Sequence, residues 1–194
     1  MPRTLRIAVL EKDRERALMI VDGLREQGDY DVVVFGDETG LARKLANANP
    51  DVVLIDLENP NRDMLEEMAL ASSPLERPVA MFTDSSNEEL TRAAIEAGVS
   101  AYVVDGLQKD RIKPIIDAAI ARFHMVTRMR TELATTRAAL KERKTIDRAK
   151  GILMSARKCD EAEAYKILRK AAMDQGKKVG DVAAALVASA ELLR

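Results

Sequence analysis

Five short apolar runs punctuate the stretch from residue 5 to residue 104: Leu5–Leu10 (LRIAVL), Val32–Phe35 (VVVF), Val52–Leu57 (VVLIDL), Val79–Thr83 (VAMFT) and Ala101–Val104 (AYVV). They are rich in Val and Ile and nearly continuous, the pattern of strands covered on both faces. Between them, apolar positions recur at spacings of three and four over Arg14–Gln27, Leu41–Asn47, Asp63–Ser72 and Asn87–Ala97, and a fifth such stretch starts near Asp110. Strands joined by single helices require right-handed crossovers, so the pattern predicts an α/β fold with a five-stranded, doubly wound parallel sheet over residues 1–121. Gly28, Gly36, Pro50, Pro78 and Gly98 fall at the expected element ends.

After Pro114 nothing breaks a helix across Lys113–Arg143. Ile116, Ile120, Phe123, Val126, Met129, Leu133, Thr136 and Leu140 form one apolar seam along it, with arginines beside it. A projecting helix with such a seam needs a cover. A second copy in a coiled coil, giving a homodimer, is the simplest; packing back on its own domain is the alternative. Beyond it, Thr145–Ala156, Asp160–Asp174 and Asp181–Leu193 read as three short helices of a module spanning residues 137–194. Asp160 with Glu163 makes a capping box, and Gly176 and Gly180 fall in the last connection. Ile146, Leu153, Tyr165, Leu168, Ala172, Val182, Leu186, Ala190 and Leu193 are its expected core.

The formal net charge of −1 conceals two opposite halves. Residues 1–121 carry 14 Lys and Arg against 23 Asp and Glu (−9), whereas residues 122–194 carry 17 against 9 (+8). A basic module tethered to an acidic one points to a polyanionic partner. One cysteine, Cys159, and one histidine, His124, exclude an internal disulfide, a His/Cys zinc cage and Ser-His-Asp or Cys-His catalysis. No glycine-rich phosphate loop is present, so the chain reads as a non-enzyme. No apolar stretch reaches membrane length and none suits a signal peptide, so a cytoplasmic protein without membrane attachment is expected.

In a doubly wound sheet the working site lies at the carboxyl ends of the strands. There stand Glu11, Asp56, Thr83 and Asp105, each closing an apolar run. This arrangement resembles a two-component receiver domain, with Asp56 at the phosphoacceptor position and Thr83 at the position that senses the phosphoryl group. The resemblance implies two acids after the first strand to hold a magnesium ion, and a lysine after the fifth. Here Lys12 occupies the second acidic position and Asp105 the lysine position. Both replacements oppose bound magnesium and a dianionic phosphoaspartate. The expectation is an idle receiver with magnesium weak or absent, unless Asp13 or Glu15 substitutes as a ligand.

Ten lysines and arginines crowd the first two helices of the last module and their turn, among them Arg148, Lys150, Arg157, Lys158, Arg169 and Lys170. These six are the candidate phosphate or base contacts. Tyr165, the module's one aromatic, either stacks on an unpaired base or packs in the core. Ala149, Gly151 and Ala172 permit close approach, of helices first and of RNA second. The run AKGILM (Ala149–Met154), the stretch Glu163, Ala164, Tyr165, and Leu168, Arg169, Ala171, Ala172 and Met173 resemble the ANTAR domain, the RNA-binding module of antiterminator regulators. IDLENPNRDML (Ile55–Leu65) is similar to the corresponding segment of NasT-like antiterminators of nitrate and nitrite assimilation. The resemblance implies a regulator that binds leader-RNA hairpins, prevents a terminator from forming and answers to a nitrate-sensing partner protein. The runner-up is a DNA-binding two-component response regulator with a helical output domain. Its third helix carries no lysine or arginine before Arg194, however, which is unsuited to reading base edges. A third reading is an adaptor that binds an acidic protein.

Overall fold

The computed structural model describes residues 4–36, 40–58, 61–104, 106 and 108–192. Five strands, β1 (Leu5–Leu10), β2 (Tyr30–Phe35), β3 (Val52–Leu57), β4 (Val79–Thr83) and β5 (Ala101–Val104), form one parallel sheet in the order β2-β1-β3-β4-β5. Four helices connect them: α1 (Arg14–Gln27), α2 (Leu41–Ala48), α3 (Arg62–Ser72) and α4 (Glu88–Glu96). Asp13, Asn61 and Asn87 cap α1, α3 and α4, their side chains accepting N–H bonds from the first turn. Leu10 stands opposite both Phe35 and Ile55, and Leu57 opposite Thr83, so the strands end level and bring Glu11, Asp56 and Thr83 to one edge.

One core fills each face of the sheet. Leu41, Leu45, Leu65 and Met68 cover one side, and Ile20, Leu24, Ile112 and Ile116 the other. The expectation of strands covered on both faces holds for β3 and β4, which are buried almost throughout. It fails for β2 and β5, which the order places at the edges, leaving Val34 and Val104 partly exposed. A 3-10 turn (Lys109–Arg111) leads into α5 (Ile112–Arg157), and Gly23 lets it approach α1: a Cβ on that glycine would stand 2.8 Å from Ile112 Cδ1.

Helix α5 runs unbroken from Ile112 to Arg157, 46 residues. This corrects the reading of a central helix ending at Arg143 and a separate one starting at Thr145. Thr145 Oγ1 donates to the Lys141 carbonyl at 3.0 Å, so its hydroxyl is satisfied inside the helix and caps nothing. Two helices follow, α6 (Glu161–Gln175) and α7 (Val179–Leu192). Helix α7 begins two residues before the expected Asp181, which puts Gly180 in its first turn; a Cβ there would meet Glu142 Oε1 at 2.5 Å. The chain divides into two compact units, Met1–Arg128 and Met129–Arg194. No helix of the described residues is long and apolar enough to cross a membrane.

Candidate functional site

In the first unit the carboxyl edge of the sheet carries an acid pocket. Glu11 follows β1 and is buried; its Oε1 accepts the Asp13 N–H at 2.7 Å, fixing the β1–α1 loop. Asp13 Oδ1 accepts from the N–H groups of Glu15 and Arg16 at 2.9 and 2.8 Å and so caps α1. Glu15 and Lys12 are exposed. Asp56 has a fully buried carboxylate, and Thr83 is fully buried as well. Burial pushes the Glu11 carboxyl up to about 6; the Asp13 N–H pulls it down, and neighbouring Asp56 raises it further. Asp105, Asn59 and Pro60 lie outside the described residues.

The residue that organises the pocket is Arg16. Its Nη2 donates to Asp56 Oδ2 at 2.8 Å and its Nε to the same oxygen at 3.2 Å. Nη1 reaches Asp84 Oδ2 at 3.1 Å and Glu58 Oε1 at 3.3 Å, while Nε stands 3.5 Å from Glu11 Oε2, an ionic contact without hydrogen-bond geometry. One guanidinium thus faces four carboxylates, and its pKa is raised, chiefly by the hydrogen bond to Asp84. Asp84 reaches it because residue 106 is glycine: Gly106 has φ +70°, and a Cβ there would meet Asp84 Oδ1 at 2.7 Å. Sequence reasoning missed Arg16 and Asp84. The available signal was a cation in the first turn of α1, where the helix dipole disfavours positive charge unless carboxylates compensate it.

The divalent ion that a receiver-like pocket implies does not fit these residues. The guanidinium covers Asp56 Oδ2, Glu11 Oε1 is committed to a backbone N–H, and Lys12 stands at the second acidic position. Among the described residues no group of three His, Cys, Asp or Glu side chains is arranged to hold a metal.

The second unit is built on small residues. Ala149, Ala164 and Ala183, one from each helix, are fully buried beside Leu153 and Leu168, and Ile146, Val182 and Leu186 pack against them. Alanine at each close approach lets three helices pack tightly with little side-chain volume. Tyr165, an expected core residue, is instead 45% exposed, because α6 turns its Ala164, Leu168, Ala172 face inward. Ala190 is half-buried and Leu193 lies outside the described residues. The small residues divide similarly: Ala149 and Ala172 are packing positions, whereas Gly151 is exposed with open space where a Cβ would stand. Asp160 Oδ1 accepts the Glu163 N–H at 2.8 Å, and Gly176 ends α6 at φ +61°.

The six candidate cations separate into two groups. Lys150 Nζ lies 2.6 Å from both Asp147 Oδ1 and Glu161 Oε1, tying α5 to the start of α6, and Arg148 Nη1 lies 2.7 Å from Glu191 Oε1 on α7. These two are consumed by the fold. Arg157, Lys158, Arg169 and Lys170 are exposed and make no ion pair among the described residues. Lys158 holds φ +51° in the α5–α6 turn, a conformation glycine would adopt more cheaply. On α6, Tyr165, Arg169 and Met173 follow at i, i+4 and i+8 and so share an outward stripe, with Met173 73% exposed. Arg169 thus stands in line with an exposed ring and an exposed thioether, a stripe able to attract a polyanion and stack on it.

Along α5, Ile116 and Ala119 are buried in the first unit's core, whereas every residue from Thr127 to Lys144 is exposed. Met129, Leu133 and Leu140 are each at least half exposed. His124 is exposed too, with its ring centroid 5.7 Å from that of Phe123.

A β2-β1-β3-β4-β5 parallel sheet with carboxylates at the ends of β1 and β3, followed by a helical output module, defines the response-regulator class. Within it the chain belongs to the ANTAR-domain response regulators. The ANTAR domain matches residues 134–187. The transcriptional regulatory protein PdtaR of Mycobacterium tuberculosis is 31% identical over 171 residues, covering 88% of this chain and 83% of that protein. The nitrate regulatory protein of Klebsiella oxytoca is 33% identical over 82 residues, 42% of this chain and 21% of that protein. The receiver domain protein from Methanospirillum hungatei shares the sheet's fold at TM-score 0.52 and 17% identity, covering 63% of this chain and 98% of that one. The chain is accordingly a regulator rather than an enzyme.

Proposed function

We propose that the chain is a transcription antiterminator whose second unit binds folded leader RNA and prevents a terminator hairpin from forming. The observation that carries this reading is the set of exposed cations that make no ion pair among the described residues, Arg157, Lys158, Arg169 and Lys170, together with Tyr165, exposed on α6 one turn from Arg169. Phosphates attract such cations without regard to sequence, and unpaired loop bases offer faces to an exposed ring. Exposed Gly151 borders a groove of about 670 Å³ with Arg143, Lys150 and Met154, where a sugar-phosphate backbone can come close. Helix α7 presents no lysine or arginine, which argues against a DNA-reading third helix. Hairpin RNA should bind more tightly than random duplex DNA at physiological salt, and loop substitutions should cost more than stem substitutions that preserve pairing. Equal or tighter binding to the DNA duplex would overturn the reading.

The exposed seam of Met129, Leu133 and Leu140 supports a homodimer through α5, which would present two RNA-binding modules to two hairpins at high effective concentration. Sedimentation of wild type and Leu133→Glu, with and without RNA, measures this; an unchanged monomer throughout would refute the stalk. The 82-residue likeness to a nitrate regulatory protein and the segment Ile55–Leu65 support control of nitrate and nitrite assimilation through a nitrate-sensing partner. Release by that partner, rather than phosphorylation of Asp56, is then the switch. A small phosphodonor that modified Asp56 and raised RNA affinity about tenfold would contradict it.

A further inference from the structure

Among the described residues Arg16 is the cation that meets Asp56 in the acid pocket, and its placement is over-determined. The N–H of Arg16 itself is bound by the Asp13 cap, and Glu11 holds the N–H of Asp13, so the start of α1 is fixed where the side chain can reach across the sheet edge. The guanidinium then contacts carboxylates that follow three different strands: Glu11 after β1, Asp56 and Glu58 at the end of β3, and Asp84 after β4. Gly106 leaves the space that Asp84 needs. Arginine suits this place better than lysine, because its planar fork spreads donors over several acceptors at fixed angles.

We propose that Arg16 is the resident cation of this pocket, its guanidinium holding the place that a divalent metal would otherwise take, so that the first unit is closed to metal while Arg16 is seated. A magnesium ion needs oxygens close around it in near-octahedral geometry. Asp56 Oδ2 is already under two guanidinium nitrogens. A metal and the arginine cannot share that oxygen, so metal entry requires the side chain to leave. The pocket retains oxygens for a successor: Asp56 Oδ1, Glu11 Oε2 and Thr83 Oγ1 are buried without a hydrogen-bond partner. Removing the guanidinium therefore leaves a cluster of carboxylates short of a cation, with buried acceptors facing no donor. Arg16→Ala turns a closed pocket into one that recruits a divalent ion.

The probe is manganese alone, titrated into the full chain and followed by the electron paramagnetic resonance signal of the free ion. Wild type should show no site that Asp56→Asn removes. Arg16→Ala should gain such a site, at least about tenfold tighter than anything in wild type and corresponding to about 1.4 kcal/mol, and Asp56→Asn in the same background should abolish it. An Asp56-dependent manganese site in wild type, or no gain in Arg16→Ala, would overturn the proposal. If Arg16→Ala does not fold, Arg16→Gln, which keeps much of the side-chain volume without the charge, is read in the same way, and the wild-type titration stands by itself. No RNA enters this experiment, so its failure and that of the antiterminator reading are separately visible.

Discussion

The two units of this chain handle charge in opposite ways. In the first, a single arginine is surrounded by Glu11, Asp56, Glu58 and Asp84, and its donors are used within the pocket. In the second, Arg157, Lys158, Arg169 and Lys170 face solvent with no carboxylate of the described residues within ion-pair distance. A cation satisfied inside the fold stabilises or locks; a group of cations left without partners is available to an anion from outside. The cores differ in parallel. Ile7, Leu54, Phe82 and Met81 fill the first unit with bulk, whereas the second closes on alanines and has less apolar surface to bury. The first unit is thus self-contained, and the second is a thin scaffold that displays a surface.

Breaking the satisfied charge should give the largest effect. Arg16→Ala leaves Asp56 buried without its partner and should destabilise the first unit by about 3 kcal/mol, the lower end for a broken buried pair because Arg16 is partly solvent-exposed. Denaturant unfolding in metal-free buffer measures this, and RNA affinity should stay unchanged. Tyr165→Leu should weaken RNA binding by about 2 kcal/mol with no change in melting temperature, since the ring lies outside the core. Unfolding without an affinity change would return the ring to a structural role. The pH dependence of stability comes next. The Glu11 carboxyl is raised from 4.5 to about 6 in the folded chain. The folded state therefore binds the extra proton in that window, and the associated stability is complete below pH 4.5 and lost as pH rises to about 6. The loss is at most about 2 kcal/mol, and Glu11→Gln should flatten the profile there. Smallest is Lys158→Gly: relief of the left-handed backbone should stabilise the second unit by up to about 1 kcal/mol while RNA binding weakens, a trade seen by pairing melting curves with affinities.

Much of the first unit was legible because continuous apolar runs and helical periodicity are local signals, and the five strands and their α/β order follow from them. The edge positions of β2 and β5 were not, since strand order is a property of the packed sheet. Glu11, Asp56 and Thr83 were legible as strand-end polar residues. Arg16 and Asp84 were not, because their meeting joins residues 68 apart in the chain. In the second unit the motif was clear but the division of its cations was hidden. Arg148 and Lys150 look the same in sequence as Arg157 and Arg169, and only the fold brings Glu191 and Glu161 against the first two. The extent of α5 was underestimated because Lys144 and Thr145 look like a helix start, while Thr145 bonds back within the helix.

The central claim, that the second unit offers about four unpaired cations to folded RNA, is tested most directly by the salt dependence of hairpin binding. If Arg157, Lys158, Arg169 and Lys170 each meet a phosphate, log affinity should fall with log salt at a slope of roughly 3 to 3.5, and neutralising any one of them should reduce that slope by nearly one. Arg148→Gln and Lys150→Gln, whose charges are already matched by Glu191, Asp147 and Glu161, should leave the slope unchanged. A slope near zero, or one that falls with Arg148 and Lys150 but not with the other four, would contradict the account.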